Sequence, residues 1–227
     1  MKAVLFNLYG TIIRPSKGLL LAQTQAFINT IKCDKTILMK SVIKHSGIDV
    51  MTQMSNVMSD IYDDRLNLNK LYVKFIKEHY KLINDPEYTQ INENIFNIID
   101  RLKRQNITHF GITSPFDKEI TNIILNSAKN QGLEIPYIIK SNNIYSFLKE
   151  NKICKRNCIH IGNTYNDVIE SVNTGIINCS ITTEIQNNDF MIQYYKPDMT
   201  VDNIYLIPEI VKKVNYLKQI CGYSKYN

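Results

Sequence analysis

The 227-residue sequence predicts an α/β protein, in which a doubly wound, Rossmannoid parallel sheet carries a helical insertion. Residues Ala3 to Phe6 form a short apolar run that ends at a glycine-containing turn, as a buried parallel strand does. Residues 18–83 then show apolar side chains at helical spacing, without a strand signal among them. Strand and helix signals alternate from residue 91 onwards. This order indicates one sheet-forming domain into which helices are inserted.

The second half of the sequence supplies the other strands and helices of this sheet. Helices are predicted at residues 91–103, 118–131, 166–173 and 207–219. Strands are predicted at residues 107–112, 137–139, 158–161, 176–181 and 199–201. We expect Gly132 to end the second of these helices and Pro208 to begin the last. A turn at residues 84–86 is the expected linker that follows the inserted helices.

Composition narrows the class of protein. Hydrophobic residues make up 44% of the chain, which is enough for a full core. The net charge of +6 suits an anionic ligand, but Lys and Arg are scattered, and no basic run marks a nucleic-acid interface. No apolar run is long enough to span a membrane and no cleavable signal peptide is recognisable, so we expect a cytoplasmic protein. Five cysteines without regular spacing indicate free thiols.

Polar side chains stand where three of the predicted strands end. The pairs are Asn7 with Thr11, Thr113 with Ser114, and Asn163 with Asp167. In doubly wound sheets the carboxyl ends of the strands meet at one edge, and ligands bind there. The sequence therefore predicts a phosphate-sized polar site at this edge, roofed by the inserted helices.

Four segments, in their order along the chain, carry a family resemblance. Residues 2–11 join an apolar strand to a Gly-Thr turn, and residues 111–116 end a strand on Thr-Ser. Residues 160–167 contain a strand followed by Gly-Asn-Thr-x-x-Asp, and residues 195–209 contain a closing strand and helix. Together they resemble the haloacid dehalogenase (HAD) superfamily of phosphohydrolases, and more narrowly phosphonoacetaldehyde hydrolase (phosphonatase).

The resemblance implies a HAD-like core domain of residues 1–15 and 86–227, and a helical C1-type cap domain of residues 16–85. It also implies that the core has lost catalytic groups. Asn7 stands at the position of the aspartate that in the family attacks phosphorus and binds magnesium, and Asn163 stands at a second metal-binding aspartate. Asp167 is retained at a third. An amide is uncharged and its oxygen is a poor nucleophile, so these positions are degraded.

Asp117 and Asp189 are further acidic residues that could support Asp167 in holding a metal ion weakly. Tyr9 occupies the second position of the first motif, where most HAD phosphatases have an acid/base aspartate and phosphonatases have a small residue. Lys44 aligns with the cap lysine that forms a Schiff base with substrate in phosphonatases. The alternative interpretation of Lys44 is a solvated helix residue.

The resemblance implies phosphate contacts from two of the motifs, through Gly10, Thr11, Thr113 and Ser114. The family's third motif, a Lys or Arg that contacts phosphate, has no clear counterpart. Three lysines could replace it: Lys140, Lys149 and Lys152. Local roles remain open as alternatives, because Thr113 and Ser114 could cap the following helix and Asp167 could complement the dipole of its own helix.

The sequence thus favours a catalytically inactive phosphonoacetaldehyde hydrolase-like protein (a pseudoenzyme) that retains a pocket for phosphate or another small anion. A weakly active or altered magnesium-dependent phosphohydrolase is one alternative. A dimeric scaffold is another, since phosphonatases dimerise through cap helices and Leu19 to Phe27 could form such a seam. Magnesium is the cofactor expected of an active protein, and no cofactor is expected of an inactive one. Natural loss and deliberate Asp-to-Asn replacement both explain Asn7 and Asn163, and Tyr9 and the missing third motif favour natural loss.

Overall fold

The computed structural model describes residues 1–14, 18–31, 33–45, 48–61, 67–83, 89–116, 118–130, 132–140, 143–182 and 196–221. The chain forms two compact units, one made of Met1–Pro15 with Ile91–Asn227 and the other of Ser16–Gln90. We call them the α/β unit and the helical unit. The linker predicted at residues 84–86 lies outside the described residues, as do the acidic candidates Asp117 and Asp189. The assignment of residues 16–85 as a cap domain stays a prediction.

The α/β unit is built on a parallel sheet, which confirms the predicted fold class. Within the described residues its strands are β1 Ala3–Asn7, β2 His109–Ser114, β3 Tyr137–Lys140, β4 Cys158–Gly162, β5 Ile177–Ile181 and β6 Met199–Val201. Their spatial order is β3-β2-β1-β4-β5-β6, and every neighbouring pair is parallel. All residues of β1 are buried, as expected for a central strand covered on both faces.

The described part of the chain contains the following α-helices: α1 Gly18–Ile28, α2 Lys35–Lys44, α3 Val50–Asp60, α4 Leu68–Ile83, α5 Asn94–Arg104, α6 Lys118–Asn130, α7 Ile144–Glu150, α8 Tyr165–Thr174 and α9 Ile207–Cys221. Helix α5 begins later than the predicted residue 91, because Ile91 forms a β-bridge with Ile13. Helix α7 was not predicted, since seven residues are too few to display a helical period. Gly132, beyond α6, has a φ of 91°, as its predicted role at the helix end requires.

The helical unit contains α1 to α4, and α1 packs against α4. Asp34 and Asp49 are the N-cap residues of α2 and α3, and their side chains accept hydrogen bonds from backbone N–H groups of the first turn. Helix α1 buries Ala22, Ala26 and Phe27 within this unit. The predicted run of helices without an intervening strand is therefore observed in residues 18–83 as far as they are described.

Parallel pairing places the carboxyl ends of β1, β2 and β4 side by side at one edge of the sheet. Asn7, the last residue of β1, is in register with Thr113 of β2. Asn163 directly follows β4 on the other side of β1. This edge therefore gathers the polar strand ends within hydrogen-bonding reach of one another. Among the described helices, none combines the length and the apolar character that crossing a membrane requires.

Candidate functional site

The side chain of Asn7 joins the first and fourth strands at the carboxyl edge of the sheet. It is buried, and its Nδ2 donates to Oδ1 of Asn163 at 3.2 Å and to Oδ2 of Asp167 at 3.0 Å. Because Asp167 offers only acceptor oxygens when ionised, the nitrogen of the Asn7 amide must face it. The three residues that the resemblance assigned to metal-binding positions, Asn7, Asn163 and Asp167, thus form one hydrogen-bonded cluster.

Asp167 is held by the start of its own helix as well as by Asn7. Its Oδ2 accepts from the backbone N–H of Asn163 at 3.1 Å, and from the N–H and the hydroxyl of Thr164 at 2.9 and 2.7 Å. Thr164 Oγ1 in turn accepts from the N–H of Asp167 at 3.2 Å. This reciprocal pair is a capping box at the N-terminus of α8. The helix-start role that the sequence left open for Asp167 is therefore present together with its place in the cluster.

Two glycines make room for the cluster. Gly10 has a φ of 87°, and a Cβ atom there would lie 2.2 Å from Nδ2 of Asn163. A Cβ atom on Gly162 would lie 2.3 Å from Cγ of Asp167. Gly10 was expected to contact phosphate, and it also packs against the Asn163 amide. Any larger residue at position 10 would displace the Asn163 side chain.

A buried histidine lies beneath this cluster in β4. Ser171 Oγ donates its only proton to the Asp167 carbonyl oxygen at 2.6 Å, and it therefore accepts from Nδ1 of His160 at 3.0 Å. Nε2 of His160 is then an acceptor for Oγ1 of Thr113 at 2.9 Å, closer than the Phe6 carbonyl oxygen at 3.4 Å. Burial lowers the pKa of His160, so the ring is neutral at pH 7.

This arrangement changes what Thr113 can do, because its hydroxyl proton is directed at His160 rather than outwards. His160 lies in the strand predicted at residues 158–161, but the sequence did not predict this network. A histidine in an otherwise apolar buried strand was the available signal, since buried polar groups require partners. Asn178 of β5 extends the network, with its Nδ2 donating to Ser171 Oγ at 3.2 Å.

Two other residues were predicted to contact phosphate, and they differ in their hydrogen bonding: the Ser114 hydroxyl has local partners, whereas the Thr11 hydroxyl has none among the described residues. Ser114 Oγ accepts from the N–H of Phe116 at 3.2 Å and from Oγ1 of Thr121 at 2.8 Å, so it shapes the turn into α6. Thr11 is fully buried, and its hydroxyl has no hydrogen-bond partner in the described part of the chain. Thr11 therefore has an unused hydrogen-bonding hydroxyl just after β1, buried beneath the surface.

Tyr9 places an aromatic ring at the position where most HAD phosphatases, according to the resemblance, have an acid/base aspartate. Its ring meets Phe116 edge to face, with the centroids 6.2 Å apart. Burial raises the pKa of the Tyr9 phenol above its ordinary value, so the hydroxyl stays protonated at neutral pH. Tyr9 consequently offers no general base in place of the aspartate.

Comparison with protein-family models finds no match, and a search of curated proteins finds none either. Solved structures match over nearly the whole chain. A haloacid dehalogenase-like family hydrolase from Streptococcus pneumoniae has a TM-score of 0.71 at 17% identity, covering 94% of this chain and 97% of its own. A phosphonoacetaldehyde hydrolase-like protein from Oleispira antarctica has a TM-score of 0.72 at 13% identity, covering 95% and 93%.

A third match is an Asp-to-Asn mutant of CbbY from Rhodobacter sphaeroides in complex with xylulose-(1,5)-bisphosphate. Its TM-score is 0.70 at 12% identity, covering 90% of this chain and 95% of its own. The chain has the haloacid dehalogenase-like fold. The fold that the sequence resemblance implied is thereby confirmed, and identities of 12–17% leave the activity to be argued from the site.

The HAD-like fold implies magnesium, and the residues present do not fit it. The described part of the chain contains no group of three His, Cys, Asp or Glu residues arranged to hold a metal ion. At the family positions only Asp167 is a carboxylate, and its Oδ2 already accepts four hydrogen bonds. Oδ1 of Asn163 accepts from Asn7. Magnesium requires near-octahedral oxygen ligands and is usually held by one or two carboxylates besides waters and substrate oxygens. This cluster offers a single carboxylate, one oxygen of which is already engaged in four hydrogen bonds.

Lys44 lies in the helical unit and is engaged in an ion pair. Its Nζ lies 3.1 Å from Oδ1 of Asp60, whose other oxygen accepts from Ser41 Oγ at 2.7 Å and lies 2.9 Å from Nε2 of His45. The Ser41 hydroxyl and the two basic side chains hold the pKa of Asp60 at about 2. A Schiff base needs the uncharged amine, whereas this ion pair uses the ammonium group. The Schiff-base role of Lys44 stays a prediction without support from its surroundings.

Of the three lysines that could replace the third motif, one lies at the correct edge of the sheet. Lys140 ends β3 and is in register with Ser114 of β2, so it stands at the carboxyl edge. Helix α7 returns the chain towards the opposite edge, and Lys149 and Lys152 lie in its last turn and just beyond it. Lys140 is therefore the candidate cation that the topology favours.

Proposed function

We propose that this chain is a HAD-like protein that does not hydrolyse phosphate esters or phosphonates and that retains a binding site for a phosphate-sized anion. One observation carries the first part of this proposal. The Asn7 amide donates to Asp167 and to Asn163, at the positions where the family has its nucleophile and metal ligands. The group that should attack phosphorus is instead a hydrogen-bond donor inside the protein.

The chemistry of Asn7 decides the expected rate. An amide oxygen is a far weaker nucleophile than a carboxylate, and loss of a covalent nucleophile lowers turnover roughly 10⁴- to 10⁶-fold. Poor metal affinity acts at the same cluster, so the two losses overlap rather than multiply. Tyr9 supplies no compensating base, because burial keeps its pKa high.

Three observations support the anion site. Thr11 Oγ1 is buried and lacks a partner among the described residues, and a buried hydroxyl without a partner is costly until a ligand satisfies it. Lys140 stands at the same edge of the sheet. The CbbY mutant holds a bisphosphate although an aspartate of that protein has been replaced by asparagine. We therefore expect anion binding without metal.

The experiment measures hydrolysis of phosphonoacetaldehyde and of an aryl phosphate in the presence of magnesium. It compares the natural chain with the Asn7→Asp, Asn163→Asp double variant. We expect no turnover by the natural chain; activity confined to the double variant would identify the two amides as the block. Turnover by the natural chain that depends on magnesium and disappears in Asp167→Ala would overturn the proposal in favour of an altered phosphohydrolase.

Homodimerisation through residues 19–27 stays a prediction. The apolar residues Ala22, Ala26 and Phe27 of that segment are buried within a single helical unit, while Leu21 is 39% exposed. The molecular mass in solution at micromolar concentration tests this prediction, and a monomer would contradict it.

A further inference from the structure

We infer that the side-chain amide of Asn7 takes the place of a metal ion as the group that holds the polar cluster together, so that the folded α/β unit is independent of divalent cations. The inference rests on the proposed function, because both depend on Asn7. It concerns the stability of the fold, however, and its test does not measure turnover.

The net charge of the cluster supports this inference. Asp167 is the one carboxylate at the three family metal positions, so the cluster of Asn7, Asn163 and Asp167 carries a single negative charge. Three aspartates that share one divalent cation would carry the same net charge. Two amides thus reach this charge without an ion, and no repulsion among carboxylates remains for a cation to relieve.

Hydrogen bonding is the second argument. Oδ1 of Asn163 and Oδ2 of Asp167 both face Nδ2 of Asn7, at 3.2 and 3.0 Å, and the amide has two hydrogens to offer them. Aspartate at position 7 would place a third acceptor at this point with no proton between the oxygens. Buried acceptors that lose their donor are destabilising, and adjacent carboxylates also repel each other.

Packing is the third argument, because it fixes the acceptors where the amide needs them. The Asn163 amide lies so close to Gly10 that a Cβ atom there would approach it to 2.2 Å. The capping box of Thr164 fixes the Asp167 carboxylate from the other side. Neither acceptor can turn away from position 7 without breaking these contacts, so Asn7 meets a preformed pair of oxygens.

The test is thermal unfolding of the full chain in EDTA and in millimolar magnesium. We expect the natural chain to have the same melting temperature in both. Asn7→Asp should melt about 5–10 °C lower in EDTA, since a lost donor and a new carboxylate act together, and magnesium should restore part of that loss.

Asn163→Asp is the matched control, because it adds the same charge to the same cluster but keeps the Asn7 donor between the two carboxylates. In EDTA, the melting temperature of Asn163→Asp should fall clearly less than that of Asn7→Asp. Asn7→Ala removes the donor without adding charge, and should be destabilised equally with and without magnesium. If Asn7→Asp fails to fold in either condition, the natural chain and Asn7→Ala still decide the matter.

A magnesium-dependent rise of several degrees for the natural chain would overturn the inference, as would an Asn7→Asp variant as stable in EDTA as the natural chain. These outcomes are separate from those of the hydrolysis assay. An inactive chain that magnesium stabilises would leave the proposed function standing and remove this inference. Magnesium-dependent turnover by the natural chain would remove the proposed function, and this inference, which rests on it, would be removed as well.

Discussion

His79 is a titratable side chain in the core of the helical unit. It is 3% exposed and stacks on Phe75 within α4, with ring centroids 5.5 Å apart. Burial lowers its pKa from 6.5 to about 4, because the charged imidazolium is poorly solvated there. In the unfolded chain the ring takes up its proton near pH 6.5, so between these values the unfolded state binds more protons.

The stability of the helical unit should therefore be complete above pH 6.5 and fall by about 3 kcal/mol as the pH drops from 6.5 to 4. Urea unfolding followed by circular dichroism across this range measures the drop. His79→Gln should reduce this drop and leave the contribution of the buried His160 in the α/β unit. The control His109→Gln, which removes a histidine from the α/β unit, should leave the full drop in place. Equal slopes in the natural chain and in His79→Gln would contradict this account.

At the scale of single elements, helix α8 depends on its first residues. Thr164→Ala removes the hydroxyl that accepts from the Asp167 N–H and donates to the Asp167 carboxylate. Loss of an N-cap side chain costs about 1–2 kcal/mol, and we expect a decrease of that size in the free energy of unfolding of the α/β unit. Thr164→Ser keeps the hydroxyl and should behave like the natural chain. Chemical denaturation that finds the two variants alike would show that the capping box does not stabilise the unit.

Some strands and helices of this fold could be predicted from the sequence and others could not. The β1 strand and the alternating strands and helices could be predicted, because continuous apolar runs and regular turn signals report burial and period directly. Helix α7 could not, since it is shorter than the pattern needed to detect it. The positions of Asn7 and Asn163 at strand ends followed from the topology, whereas the direction of their hydrogen bonds depends on side-chain geometry. The hydrogen bond between His160 and Thr113 joins two strands that lie far apart in the chain. No local sequence pattern therefore indicates which partner the buried histidine takes.

At the scale of the whole molecule, charge and topology together predict where an anion binds. The net charge of +6 attracts anions to the chain in general, and the fold decides which lysine can meet one at the candidate site. Lys140 stands at the carboxyl edge of the sheet beside the β2 strand end, while Lys149 is carried towards the opposite edge by α7. Both are exposed, so their removal changes the net charge equally and disturbs no core.

We therefore expect Lys140→Ala to weaken the binding of inorganic phosphate roughly three- to tenfold, the value of one exposed charge contact of about 1 kcal/mol. Lys149→Ala should leave the affinity nearly unchanged. Calorimetric titration in EDTA measures both, and raising the salt concentration should reduce the difference, because the contact is screened. Equal weakening in the two variants would mean that only the overall charge draws phosphate. An absence of binding heat and of any thermal shift with the natural chain would remove the anion site from the proposed function. The hydrogen-bonded cluster around Asn7 would then stand as a structural feature alone.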